Sequence, residues 1–131
     1  MKYLGLDWGK SKIGVALASS ELRIASPILI LKYKELAQVK SVLEKIIKEE
    51  DIEKIIIGKP LKLSGKEYFA KEFVDFSKLV EGFGKEVVYE DERMSTKAFT
   101  SLNRQFNIKN TGNDDAGAAA AILQGFLDRH A

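Results

Sequence analysis

A mixed α/β domain, with one five-stranded sheet flanked by helices, is the fold class this sequence predicts, and three observations predict it. Three short strand-like segments follow one another up to residue 32 with turn residues between them. After residue 34 the pattern changes, and segments of helical period alternate with short β-rich runs. The chain has 131 residues, 45% hydrophobic and 31% charged, which suits a single core over 1–131. Antiparallel strands followed by alternating helix and strand cannot close a wholly parallel sheet, so the sheet is expected to be mixed.

Residues 2–8 alternate as a strand, residues 9–12 form a turn around Gly9, and residues 12–18 supply the hairpin partner. A third strand is expected over 23–32, with Pro27 arguing for an edge position or a bulge. From Glu35 to Glu50, Leu36, Val39, Val42, Leu43, Ile46 and Ile47 recur at helical spacing against a Lys/Glu face. The continuous apolar run from Lys54 to Gly58 predicts a strand buried on both faces, followed by a loop from Pro60 to Gly65. A helix over 66–81 carries Phe69, Phe73, Phe76, Leu79 and Val80 on one side, and Gly82 and Gly84 stop it. The fifth strand is expected over 86–90, a short helix capped by Ser95 to about Arg104, a loop over 105–113, and a last helix from Asp114 to Arg129. The predicted order is βββαβαβαα.

Composition excludes several chemistries. The chain has no cysteine, and its one histidine is His130. Disulfides, thiolate nucleophiles, Cys-ligated zinc and Ser-His-Asp triads are thereby set aside. Catalysis would have to use carboxylates, hydroxyls, Lys, Arg and a hard, oxygen-ligated metal. No apolar run reaches the roughly 18 residues of a membrane span, and no signal-peptide pattern opens the chain, so a cytoplasmic protein without membrane association is expected. With 21 basic and 19 acidic residues the net charge of +2 decides nothing about nucleic acid, which leaves the distribution of charge to do so.

Acids stand out at three places. Asp7 lies in phase with Tyr3 and Gly5, while Leu4, Leu6 and Trp8 take the opposite face. A carboxylate in an apolar strand is costly unless paired or metal-bound, although an Asp here could also close the Gly9 turn. Glu90, Asp91, Glu92 and Arg93 follow the fifth strand at its carboxyl end, where open sheets gather ligands; an exposed loop pairing its acids with Arg93 is the alternative. Asp115 falls one turn before Ala119, on the stripe of Ala119, Ile122, Leu123, Phe126 and Leu127, whereas Asp114 points about 100° away. Favourable interaction with the helix dipole explains Asp114 but not an acid on the core stripe. Gly5, Gly14, Ala16, Ala18 and the alanines of 116–121 would let that helix approach the first strands closely and bring Asp115 beside Asp7. Two carboxylates ~6 Å apart repel by about 3 kcal/mol at an effective dielectric near 20, which a divalent cation would remove.

The segments LGLDWG at 4–9, KIGVA at 12–16, IGKPL at 57–61 with Gly65, DERMST at 91–96, and Asp115 heading an alanine-rich helix together resemble the YqgF/RuvX family, in order and over almost the whole chain. The resemblance implies an RNase H-like fold related to the RuvC resolvases, with strand order third, second, first, fourth, fifth. It implies a nuclease that processes the 5′ end of the 16S rRNA precursor, with Holliday junction resolution as an older assignment. It places the family's acids on Asp7, the Asp91 and Glu92 pair, and Asp115. Glu92 is favoured over Asp91 as ligand because a longer side chain spans the two-strand separation better. Lys59 replaces a usually apolar residue, Ser19 and Ser20 replace a frequent Ser-Asp, and Trp8 is bulky for its place.

The expectation is therefore a nuclease using two Mg²⁺ or Mn²⁺ ions held by Asp7, Glu92 and Asp115, with Arg93 orienting or contacting phosphate. Lys10, Lys12, Lys59, Lys62, Lys66, Lys97, Arg104 and Lys109 could follow the backbone of precursor rRNA or branched DNA, though ordinary solubility would also account for each of these residues. A monomer or weak homodimer is expected. Two rivals are a phosphate loop of the actin and sugar-kinase type at 7–9, for which the chain lacks a second lobe, and a non-catalytic nucleic-acid-binding module.

Overall fold

The structure, a computed structural model, describes residues 1–9, 11–59, 71–91 and 115–129, with the backbone alone at 59, 91, 115 and 116. Its elements are β1 (Lys2–Trp8), β2 (Lys12–Ser19), β3 (Ser26–Lys32), α1 (Leu36–Glu49), β4 (Ile52–Lys59), α2 (Lys71–Glu81), β5 (Glu86–Asp91) and α3 (Asp115–Arg129). The strands form one sheet in the order β3-β2-β1-β4-β5. β1 is antiparallel to β2 and parallel to β4, β2 is antiparallel to β3, and β4 is parallel to β5. This is the mixed sheet that the segment order predicts.

Alternation along the strands divides the core into two layers. Leu4, Leu6, Ile13, Val15, Ile55 and Ile57 pack beneath α1 and α2, which contribute Val39, Leu43, Ile47, Phe73, Phe76 and Val80. Ala16, Ala18, Ile56 and partly buried Tyr3 and Val88 face α3, with Ala119, Ile122, Leu123, Phe126 and Leu127. β4 is therefore buried on both sides, as its apolar run requires. At α1 the Gln38 carbonyl Oε1 accepts from the backbone N–H of Lys34 and Glu35, satisfying donors that the helix start would otherwise leave open.

Several boundaries differ from the sequence expectation. β3 begins at Ser26 rather than at residue 23, because Arg23 takes a left-handed φ of 56° and its N–H bonds to the Ser19 carbonyl. β4 extends beyond 54–58 at both ends, since Ile52 is buried and Lys59 pairs in register with Asp91. β3 is an edge strand, and its register with β2 shifts between Val15 and Ala16, opposite the Pro27 region. That is the edge and bulge behaviour expected of a proline without an N–H. The helix expected over 95–104, the 105–113 loop, and residues 66–70 of the second helix lie outside the described residues.

The buried side of α3 is also wider than the predicted stripe. Ala120 and Ala121 are as buried as Ala119 and Ile122. An alanine carries little amphipathic signal, so the stripe of larger side chains underestimates how much of such a helix is enclosed. None of the described helices is long and apolar enough to cross a membrane.

Candidate active site

One rim of the sheet collects the ends that matter. β1, β3, β4 and β5 all finish there, and β2 starts there, because only β2 runs the opposite way. Trp8, Lys12, Lys32, Lys59 and Asp91 mark that rim.

Asp7 stands one residue from it, partly buried, on the face covered by α3. Its antiparallel partner is Gly14, so β2 places no side chain beside the carboxylate. Trp8 points the other way, into the α1 and α2 layer, and meets Phe73 edge-on at 5.5 Å. Its indole N–H is enclosed beside the Tyr33 hydroxyl. The turn after Asp7 is tight: a Cβ on Gly9 would come within 2.7 Å of the Lys12 carbonyl oxygen. Tyr33 donates its hydroxyl to the Gly9 carbonyl at 2.7 Å and holds the turn from β3. Burial raises the Tyr33 phenol above its ordinary range and the Glu72 charge adds to this, so the phenol stays a neutral donor.

The path of α3 fixes where its first residue lies. Tyr3 meets Phe126 edge-on with ring centroids 5.8 Å apart, whereas a Cβ on Gly5 would lie 2.8 Å from Leu123 Cβ and 3.1 Å from the Ala119 carbonyl oxygen. Moving up β1 thus corresponds to moving back along α3, and the two run antiparallel. From Gly5 to Asp7 is about 6.6 Å of strand and from Ala119 to Asp115 about 6 Å of helix. The helix start that bears Asp115 is therefore at the rim of Asp7, on the small-residue surface that the sequence marks out. Asp91 ends β5 with its backbone opposite Lys59. Glu92, Arg93, Lys10, Lys62 and Arg104, with Lys66, Lys97 and Lys109, lie outside the described residues.

Sequence reasoning missed the role of Glu90. Its carboxylate is buried and forms an ion pair with Arg129 from the last turn of α3. The two are 39 positions apart by their numbers, and no local pattern signals the pairing. The pair ties the helix to the strand that leads into Asp91 and Glu92. At the opposite end of the sheet a cavity of about 550 Å³ opens between Ile47, Asp51, Phe83 and Lys85. It is remote from Asp7 and from the carboxyl ends of β4 and β5.

A divalent ion suits the donors at the rim. They are carboxylates with no His or Cys near them in sequence, the ligand type of Mg²⁺ or Mn²⁺, and Gly14 leaves room beside Asp7. Among the described residues no three acids gather closely enough to form a complete metal cluster.

The fold is RNase H-like, the class of the RuvC-type resolvases. Thermus thermophilus RuvC is similar with a TM-score of 0.71 at 12% identity, over 99% of this chain and 96% of that one. The fowlpox virus Holliday junction resolvase follows at 0.64 and 12% identity, over 100% of both chains. The chain itself belongs to the RuvX family: the family model described as "RuvX: Holliday junction resolvase" matches residues 1–129. A relative from Anaeromyxobacter sp. (strain Fw109-5), named "Putative pre-16S rRNA nuclease", is 37% identical over 139 aligned positions covering 100% of both chains. One of the same name from Klebsiella pneumoniae (strain 342) is 31% identical over 132 positions, 97% of this chain and 96% of the relative.

Proposed function

We propose that the protein is a metal-dependent nuclease that hydrolyses phosphodiester bonds, with the 5′ end of precursor 16S rRNA as its substrate. The observation that carries this reading is the convergence of Asp7 and the Asp115 end of α3 on one rim, within a chain of the RuvX family. Asp7, Glu92 and Asp115 would hold two Mg²⁺ or Mn²⁺ ions, with Asp91 as the alternative acid from the fifth strand. When bound, such ions lower the pKa of an attacking water and neutralise charge on the phosphate.

The chain's own residues have separate tasks. Asp7 supplies negative charge at a fixed place, because the Gly9 turn behind it is held by Tyr33. The Glu90 and Arg129 pair fixes the strand end that leads to Asp91 and Glu92. Arg93, Lys10, Lys12, Lys59, Lys62 and Arg104 would contact phosphates and keep the scissile bond over the acids.

Four-way DNA is the second substrate to consider, on the strength of the family description alone. Cleavage of precursor rRNA fragments and of four-way junctions, side by side in Mg²⁺ and Mn²⁺, separates the two. Asp7→Asn removes a ligand charge at nearly constant volume, so cleavage should vanish while the fold and melting temperature are kept or improved. Full activity in that purified variant would remove Asp7 from the site, and binding without cleavage by the wild type would leave a nucleic-acid-binding module.

A further inference from the structure

Lys12 and Lys32 are directly opposite each other in the antiparallel register of β2 and β3. Like charges in that position oppose pairing of the strands. Both side chains are exposed, and neither forms an ion pair among the described residues; nor does exposed Lys34, two residues further on. Two other strand lysines are neutralised: Lys2 by Glu50, and Lys54 by Glu86 from the next strand.

The position of Lys12 and Lys32 is specific. Ile13 and Leu31 face the α1 and α2 layer, so Lys12 and Lys32 take the other face, that of Asp7. Asp7 pairs with Gly14, two residues along β2 from Lys12. The backbone carrying the lysines is also held in place. The Tyr33 N–H donates to the Ser11 carbonyl at 3.1 Å, its hydroxyl donates to that of Gly9 at 2.7 Å, and the Lys34 N–H donates to Gln38 Oε1 at 2.7 Å. The acid acting on Tyr33, Glu72, belongs to α2 on the opposite face.

We propose that Lys12, Lys32 and Lys34 form a phosphate-backbone contact on the β3 side of Asp7, so that a nucleic-acid strand crosses the rim over β2 and β3 on its way to the acids. The proposal rests on the nuclease reading and adds Lys32 and Lys34 to the binding surface. A polyanion resolves the unfavourable juxtaposition that the free protein retains, and a phosphodiester chain extending away from Asp7 provides charge at regular intervals along that line.

The test uses the full chain in an Asp7→Asn background, so that the probe is not consumed. Binding of a labelled single-stranded precursor-rRNA fragment and of a four-way DNA junction is followed by fluorescence anisotropy over a series of KCl concentrations. Lys32→Ser with Lys34→Ser is compared with Lys45→Ser and Lys48→Ser, two exposed lysines of α1. The rim variant should bind several-fold more weakly at low salt, and its logarithmic salt slope should fall by about 0.7 per lysine on single strands or about 0.9 on duplex arms. The α1 variant should match the background protein. A melting temperature of the rim variant no lower than that of the background at low salt shows that lost binding is not lost folding. An unchanged slope, or an equal change in both variants, overturns the rim contact while leaving the nuclease reading intact. Failure of the wild type to bind or cleave either nucleic acid overturns both.

Discussion

Gly5 marks the close approach of α3 to β1, and its environment leaves no room for a side chain. A methyl group there would press on Leu123 Cβ and on the Ala119 carbonyl, a backbone atom. Gly5→Ala should therefore cost about 1–3 kcal/mol by urea denaturation, through a shift of α3. Leu123→Ala should not relieve it, because the Cβ that collides is retained. Glu90 and Arg129 provide a second case. Removing one partner, as in Arg129→Met, should cost roughly 1.5–3 kcal/mol. The lower end is expected because Arg129 keeps 32% of its side chain open to water. Replacing both, with Glu90→Leu and Arg129→Met, should recover much of the loss, since no buried charge is then left alone. At this scale the sequence reveals Asp7 through its phase with Tyr3 and Gly5, a local relation. It could not reveal that Glu90 has a helix partner, because that contact exists only after β5 and α3 have docked.

Where an element's own period decides its structure, its identity is legible in advance. α1 is readable from the recurrence of Val39, Leu43 and Ile47, all buried as their spacing implies, and β1 from a short β-rich run that stops at the Gly9 turn. The ends of β3 and β4 are not, because Arg23 closes a left-handed turn onto Ser19 and Lys59 pairs with a neighbouring strand. Contacts between elements carry their own prediction. Tyr89 on β5 donates its hydroxyl to Glu81 Oε2 at 2.5 Å and so ties the strand to the end of α2. Burial raises this phenol above its ordinary 10.0, with the Glu81 hydrogen bond acting in the same direction. The folded protein thus keeps a proton that the unfolded chain gives up. The stability this provides is whole below the unfolded pKa and is lost as pH rises through the folded one. Urea midpoints should fall as pH rises past the ordinary phenol value of 10.0, and fall less in Tyr89→Phe. Some decline should persist, because Tyr33 is raised as well.

Taken whole, the molecule brings acids from distant parts of the chain to one rim, and its stability should respond to what neutralises them. A divalent ion that binds only the folded state adds roughly 2.7 kcal/mol at a hundredfold excess over Kd, a rise of several degrees in melting temperature for a domain of this length. Mg²⁺ or Mn²⁺ should produce that shift in the wild type and much less of it in Asp115→Asn, with Asp114→Asn close to wild type. Differential scanning fluorimetry at millimolar metal measures it, and an equal loss in both variants would assign both acids to the helix dipole. The same long-range closure has a consequence for synthesis. The Arg23 guanidinium donates to the Leu127 carbonyl across 104 positions, and the face of β1 and β2 that α3 covers stays open until those later residues are made. At ribosomal rates of about 5–20 residues per second the wait is on the order of 5–20 s. A face built from Gly5, Gly14, Ala16 and Ala18 offers chaperones and other nascent chains little to grip during that interval.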